Sequence, residues 1–234
     1  MKSEPSSALR PPHRLATLLE FRAPLDALTL AMRWPSLVSA PRGDGRPVIL
    51  LPGLGASPRS MWPLKQYLRR LGYDAQDWKL GRNRGRVERM VSKMTDQVES
   101  LAESRDSVTL VGWSLGGVVA RELARLHPVD VREVITFGTP VMGGPKYTAM
   151  AERFAEGGSQ DLDRFERAVH ERNLIGFDQP ITSIYSKLDG VVGWRASIDH
   201  YNPQARNIEV IGAHLGLGIN ASVWRIIADT LAKS

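Results

Sequence analysis

Val108-Thr109-Leu110-Val111-Gly112-Trp113-Ser114-Leu115-Gly116-Gly117-Val118-Val119 is the stretch on which the fold turns. Val108 to Val111 reads as a buried strand, and Leu115, Val118, Val119, Leu123 and Leu126 then recur at helical spacing. Between strand and helix lies Gly112-Trp113-Ser114-Leu115-Gly116, a match to Gly-x-Ser-x-Gly. A serine on so tight a turn must tolerate strained dihedrals, and small neighbours let the helix approach the strand. The turn carries the hydroxyl to the carboxyl end of the sheet, where ligands bind in open α/β folds. The plainer reading is a glycine-rich helix start with Ser114 as its cap.

The same alternation of short apolar runs and amphipathic helices extends both ways. Upstream, Val48 to Leu51 reads as a strand ending in Pro52-Gly53-Leu54-Gly55. The next helix has Ser60 as its expected cap, Leu64, Tyr67, Leu68 and Leu71 on one face, and Gly72 as its stop. A strand over Tyr73 to Trp78 and a helix carrying Val87, Met90, Val91, Met94, Val98 and Leu101 follow. Downstream, Val134 to Phe137 reads as a strand closed by Gly138-Thr139-Pro140.

The rhythm then breaks. Residues 143–179 read as a polar helical insertion, with Leu162, Phe165 and Val169 on one face and Gly157-Gly158 in the middle. Strands return at Thr182 to Ser186 and Ile208 to Ile211, and a closing helix carries Val223, Ile226, Ile227 and Leu231. Six strands joined by helical crossovers imply an α/β fold: a mostly parallel sheet with helices on both faces. Residues 1–46 are expected to be an N-terminal helical extension and linker, and residues 47–234 the α/β domain. Within the extension, Leu15 to Trp34 reads as a helix broken at Pro24 that packs against the domain. A membrane-surface anchor is the sharper alternative for the same residues 15–34.

Composition narrows the function. With 234 residues, 42% hydrophobic and 24% charged, the chain resembles an ordinary globular protein rather than a disordered one. No apolar run approaches the ~18 residues of a membrane span. The polar, proline-bearing start lacks the apolar region of a secretory signal, so a cytoplasmic location is expected. With no cysteine, disulfides, thiolate metal sites and a cysteine nucleophile are excluded, leaving serine, carboxylate or histidine for chemistry. The net charge of +6 is concentrated in residues 59–95, which hold 10 basic and 3 acidic side chains. No nucleic-acid motif or interleaved aromatic pattern accompanies that block, so no nucleic acid is expected as a partner.

A serine hydroxyl needs a base beside it. Of the five histidines, His13 lies in the polar start, His127 ends a helix, His170 sits in the insertion and His200 precedes the last strand. His214 directly follows that strand, at the edge where Ser114 is expected. The base in turn needs a carboxylate to fix its tautomer. Asp189 follows the strand Thr182–Ser186, with Asp199 as the runner-up further from a strand end. The chain order is then Ser, Asp, His. Two backbone donors are expected to hold an oxyanion, the N–H groups of Leu54 and Leu115. The rival reading of Gly53-Leu54-Gly55 is a dinucleotide fingerprint, with Asp74 or Asp77 as its acid. The third glycine is missing, because Pro58 stands there. No cofactor and no metal is expected, and no paired-histidine motif such as His-Glu-x-x-His occurs.

These pieces together resemble a bacterial α/β-hydrolase of the lipase/esterase type. The resemblance rests on Leu51-Pro-Gly-Leu-Gly-Ala-Ser57, Gly112-Trp-Ser-Leu-Gly-Gly117, Gly138-Thr-Pro140, Tyr185-Ser-Lys-Leu-Asp-Gly-Val-Val192 and Gly212-Ala-His-Leu-Gly-Leu-Gly218. It implies hydrolysis of small-molecule or lipid esters through an acyl-enzyme, and a helical lid, a place that residues 143–179 match. Many lipases carry His-Gly in the oxyanion loop, where this chain has Pro52-Gly53. Two N-terminal strands common in the fold are missing, so the expectation is a minimal version. Acyl transfer or thioester cleavage uses the same machinery, and a binding module on a hydrolase fold is the reading from another class. Arg82 and Arg84 are expected near the site, as contacts for an anionic substrate group or as plain surface charge. Trp113 and Trp194 suggest an apolar acyl pocket or, equally, core.

Overall fold

Along each inner strand the apolar residues alternate between two separate cores, as side chains of a pleated strand must. Val48, Leu50, Val111, Ile135, Phe137 and Ile184 join one core; Ile49, Leu51, Val108, Leu110, Val134 and Ile181 join the other. Each fully buried side chain of this kind contributes ~1.5–3 kcal/mol, so both sheet faces must be covered by helices. The computed structural model describes residues 9–12, 17–105, 107–155 and 159–234. His13, Leu15 and the Gly157-Gly158 pair named above lie outside the described residues.

In chain order the main elements are α1 (Ala23–Met32), α2 (Trp34–Val38), β1 (Pro47–Leu51), α3 (Trp62–Leu71), β2 (Asp74–Asp77), α4 (Val87–Arg105) and β3 (Val108–Trp113). Then come α5 (Leu115–Leu126), β4 (Val131–Phe137), α6 (Ala151–Phe154), α7 (Ser159–Ile175), β5 (Ile181–Ser186), β6 (Arg206–Val210) and α8 (Ala221–Leu231). The six strands form one sheet in the order β2-β1-β3-β4-β5-β6, every pair parallel. Leu64, Tyr67 and Leu68 of α3 with Trp224 and Ile227 of α8 cover one face. Met94 and Val98 of α4 with Val119 and Leu123 of α5 cover the other. Connections run in opposite senses on the two sides of β1 and β3, so their carboxyl ends flank the crevice where such sheets bind ligands.

Three local expectations change. Ser60 caps no helix: its hydroxyl donates to the Ser57 carbonyl within the 3-10 turn Pro58–Met61, and α3 starts at Trp62. The last strand is Arg206–Val210 and largely exposed, as an edge strand can be, while Ile211 lies beyond it, 75% exposed. The N-terminal break precedes Pro24: a 3-10 turn, Leu19–Arg22, leads into α1, and Pro24 falls in its first turn, where its missing N–H costs no hydrogen bond. Gly72 does end α3, with φ 103°.

Candidate active site

Ser114 sits between β3 and α5 with φ 53° and ψ −124°, a conformation that costs a side-chain-bearing residue about 1–3 kcal/mol. Its surroundings hold it there. The Ser114 N–H donates to the Phe137 carbonyl (2.9 Å), and its own carbonyl accepts from the Gly117 N–H (3.0 Å) and the Thr139 hydroxyl (3.0 Å). The glycines are needed for space. A Cβ on Gly116 would collide with the Leu51 and Pro52 carbonyls, and one on Gly112 with Gly117.

His214 and Asp189 come from the turns after β6 and β5. Both are buried, and Asp189 Oδ2 lies 2.7 Å from His214 Nδ1. The other carboxylate oxygen accepts from the Val191 (2.9 Å) and Val192 (2.7 Å) amides, which fixes the acid's orientation. Burial of the imidazole pushes its pKa down; the charge and hydrogen bond of Asp189, with the charge of Glu20, reverse this, and the net result is a raised pKa. The Trp113 ring lies 5.8 Å from the His214 ring and stacks on Phe137, while its indole N–H is buried without a partner among the described residues.

Ser114 and His214 line one cavity of about 550 Å³, together with Trp113, Leu54 and Leu115. The Leu115 amide is among the orphan donors at the start of α5. The Leu54 turn lies beside Ser114: a Cβ on Gly53 would stand 3.2 Å from the serine Cβ. Buried Asn83 braces that turn. Its amide side chain donates to the Pro52 carbonyl (2.8 Å), and its backbone bonds Gly55 (2.8 Å) and Ala56 (2.9 Å). Asn83 was missed in the sequence because it lies inside the basic run Arg82–Arg86, which reads as solvated.

Arg82 and Arg84 do not line the cavity. Arg82 is exposed and donates to the Gly55 carbonyl (2.8 Å), so it serves the glycine turn rather than facing Ser114. The arginines in the lining are Arg121, Arg125 and Arg172 instead. They are already paired: Arg121 with Asp199 (2.6 Å), and Arg125 (2.6 Å) and Arg172 (2.8 Å) with Glu122. Trp194 is likewise absent from the lining; it stacks on Tyr185, and the Arg195 guanidinium lies over its ring, 4.1 Å from the centroid. Asp199, the alternative acid, is taken by Arg121 and by the Tyr201 and Asn202 amides.

The insertion forms one wall of the cavity. Met150, Phe165, Ala168 and Val169 face it, opposite Val118 of α5 and Val191 beside Asp189. The other described histidines are placed elsewhere. His127 bonds Thr95 (3.1 Å), His170 bonds Tyr201 (2.7 Å) and His200 is exposed.

The sequence profile of the palmitoyl protein thioesterase family matches residues 47–184. No curated protein matches the sequence. Among solved structures, the chain resembles the metagenome-derived lipolytic enzymes LipS and LipT, with TM-score 0.62 and 14% identity over 83% of this chain and 96% of that one. It also resembles a lipase-esterase related protein from Clostridium acetobutylicum, with TM-score 0.59 and 16% identity over 82% and 96% of the two chains. The thioesterase domain from the curacin biosynthetic pathway gives TM-score 0.53 and 14% identity over 82% and 93%. At such identities the likeness is one of fold, the α/β-hydrolase fold in a small version.

Proposed function

The chain belongs to the palmitoyl protein thioesterase family, and from that premise we propose that it is a serine hydrolase cleaving carboxylic esters through an acyl-enzyme on Ser114. His214 takes the hydroxyl proton as Ser114 attacks the acyl carbonyl, and Asp189 stabilises the imidazolium that forms. The Leu54 and Leu115 amides receive the oxyanion. His214 then protonates the leaving group, and water repeats the sequence on the acyl-enzyme. The observation that carries this reading is the buried 2.7 Å His214–Asp189 contact opening onto the same cavity as the strained Ser114. The cavity's volume suits a substrate of modest size, since ligand sites occupy roughly 300–1,000 Å³. Its apolar wall favours an acyl chain, and residues 143–179 act as the lid over it.

A second reading keeps the same residues and changes the leaving group to a thiol; the family match favours it. Rates on an oxygen ester and a thioester of the same acyl chain separate the two. Ser114→Ala is expected to lower kcat on either by roughly four or more powers of ten. Wild-type turnover in that variant would contradict the proposal.

We also propose that residues 15–34, within the extension 1–46, meet a membrane surface beside the hydrolase domain, residues 47–234. Leu18, Phe21, Leu25, Leu28 and Met32 recur every three or four residues and are 54–83% exposed. Exposed Arg22 lies among them and exposed Arg33 follows Met32, which suits anionic headgroups. Among the described residues no helix is long and apolar enough to cross a membrane.

A further inference from the structure

Building on the proposed roles of Asp189 and His214, we infer that Glu20 is a positioning residue whose carboxylate clamps the acid-bearing turn to the base-bearing turn. Glu20 belongs to the 3-10 turn Leu19–Arg22, outside the sheet. Its Oε1 accepts from the Gly190 amide (2.9 Å), next to Asp189, and from the His214 amide itself (2.9 Å). Its Oε2 accepts from the Leu215 amide (2.8 Å). One carboxylate therefore bridges both turns through three charge-assisted bonds, to residues up to 195 positions away in the chain. Without it those amides lose their partner at the place where the Asp189–His214 distance is set.

The segment is fixed on either side of Glu20. Thr17 donates to the Gly190 carbonyl (3.2 Å), and Asp26 accepts from Asn220 (2.8 Å) beyond the His214 turn. The backbone of Arg10 lies so close to Gly193 that no Cβ would fit there. Geometry of this kind points to more than loop capping, because the negative charge is held against the residue that must exchange a proton. The charges that act on His214 are Asp189 and Glu20, while Glu20 has Arg22 and Asp26 on its own segment. Glu88, Arg121, Glu122, Arg125 and Arg172 line the same cavity.

Two substitutions separate geometry from charge. Glu20→Gln is isosteric but turns an amide donor towards the Leu215 N–H and removes the charge. Glu20→Asp keeps the charge but is one methylene too short to reach both turns. For both, kcat and KM are measured on p-nitrophenyl butyrate, thermal unfolding checks the fold, and proton NMR follows the His214 imidazole, assigned with His214→Asn. Both variants are expected to lose about ten- to a hundredfold in kcat with little change in KM, the usual scale for misplaced groups. The imidazole is expected to titrate at lower pH in Glu20→Gln and near the wild-type pH in Glu20→Asp. Wild-type kcat in Glu20→Asp, or an unmoved imidazole titration in folded Glu20→Gln, would overturn the inference. The NMR titration needs no turnover. A wild-type protein inactive on every ester and every thioester would refute the Ser114 reading, while the imidazole shift would still judge Glu20.

Discussion

At His214 two opposing influences meet. Burial disfavours the charged imidazolium, and the carboxylates of Asp189 and Glu20 favour it more strongly, so the ring holds its proton to a higher pH than a free histidine. The base must be neutral to accept a proton from Ser114, so activity is lost as pH falls through this raised pKa. The acidic limb of kcat/KM is therefore expected to have its midpoint above 6.5, the ordinary imidazole value. A profile flat from pH 5 to 8 would contradict the role of His214 as base. That His214 and Asp189 meet was legible because each lies in the turn after a strand, at the edge where such sheets bind ligands. Glu20 was not. An acid among the apolar residues of an amphipathic segment, 170 or more residues from its partners, has no local pattern to set it apart from a solvated one.

At the scale of elements, the elbow depends on how closely α5 approaches β1 and β3. Gly116 stands against the Leu51 and Pro52 carbonyls, which cannot retreat without breaking strand pairing. Gly116→Ala is expected to destabilise the protein by about 1–3 kcal/mol or more in denaturant unfolding, as overpacked sites do. An unchanged midpoint would mean that the close approach is not needed. The elbow, the strand ends and Gly72 could be read because each obeys a local backbone rule. The true bounds of β6 and the start of α3 could not, since edge exposure and a 3-10 turn leave no apolar periodicity. Arg121 carries no local signal in the sequence. Only the fold brings it to Asp199, 78 residues away, as a buried pair.

For the molecule as a whole, the mostly parallel sheet with helices on both faces followed from strands alternating with helices, because parallel crossovers permit few arrangements. Packing of the N-terminal segment against the domain was expected, but its place over the turns of β5 and β6 was not, since the polar contacts that put it there join residues 170 or more positions apart. That segment presents Glu20 and Asp26 to the domain and leaves Phe21, Leu25, Leu28 and Met32 outward. Wild-type protein is expected to co-float with phosphatidylserine-containing vesicles, and a variant with Phe21, Leu25 and Met32 changed to serine to stay behind. Equal flotation of the two would rule out this surface as the membrane contact.

The proposed catalysis rests on Ser114 being made nucleophilic by His214. Reaction with a fluorophosphonate probe, followed by mass spectrometry of the labelled peptide, measures that directly. The adduct is expected on Ser114, with labelling slowed at least about a hundredfold in His214→Ala. A protein that stays unlabelled, or one labelled at the same rate without His214, would contradict it.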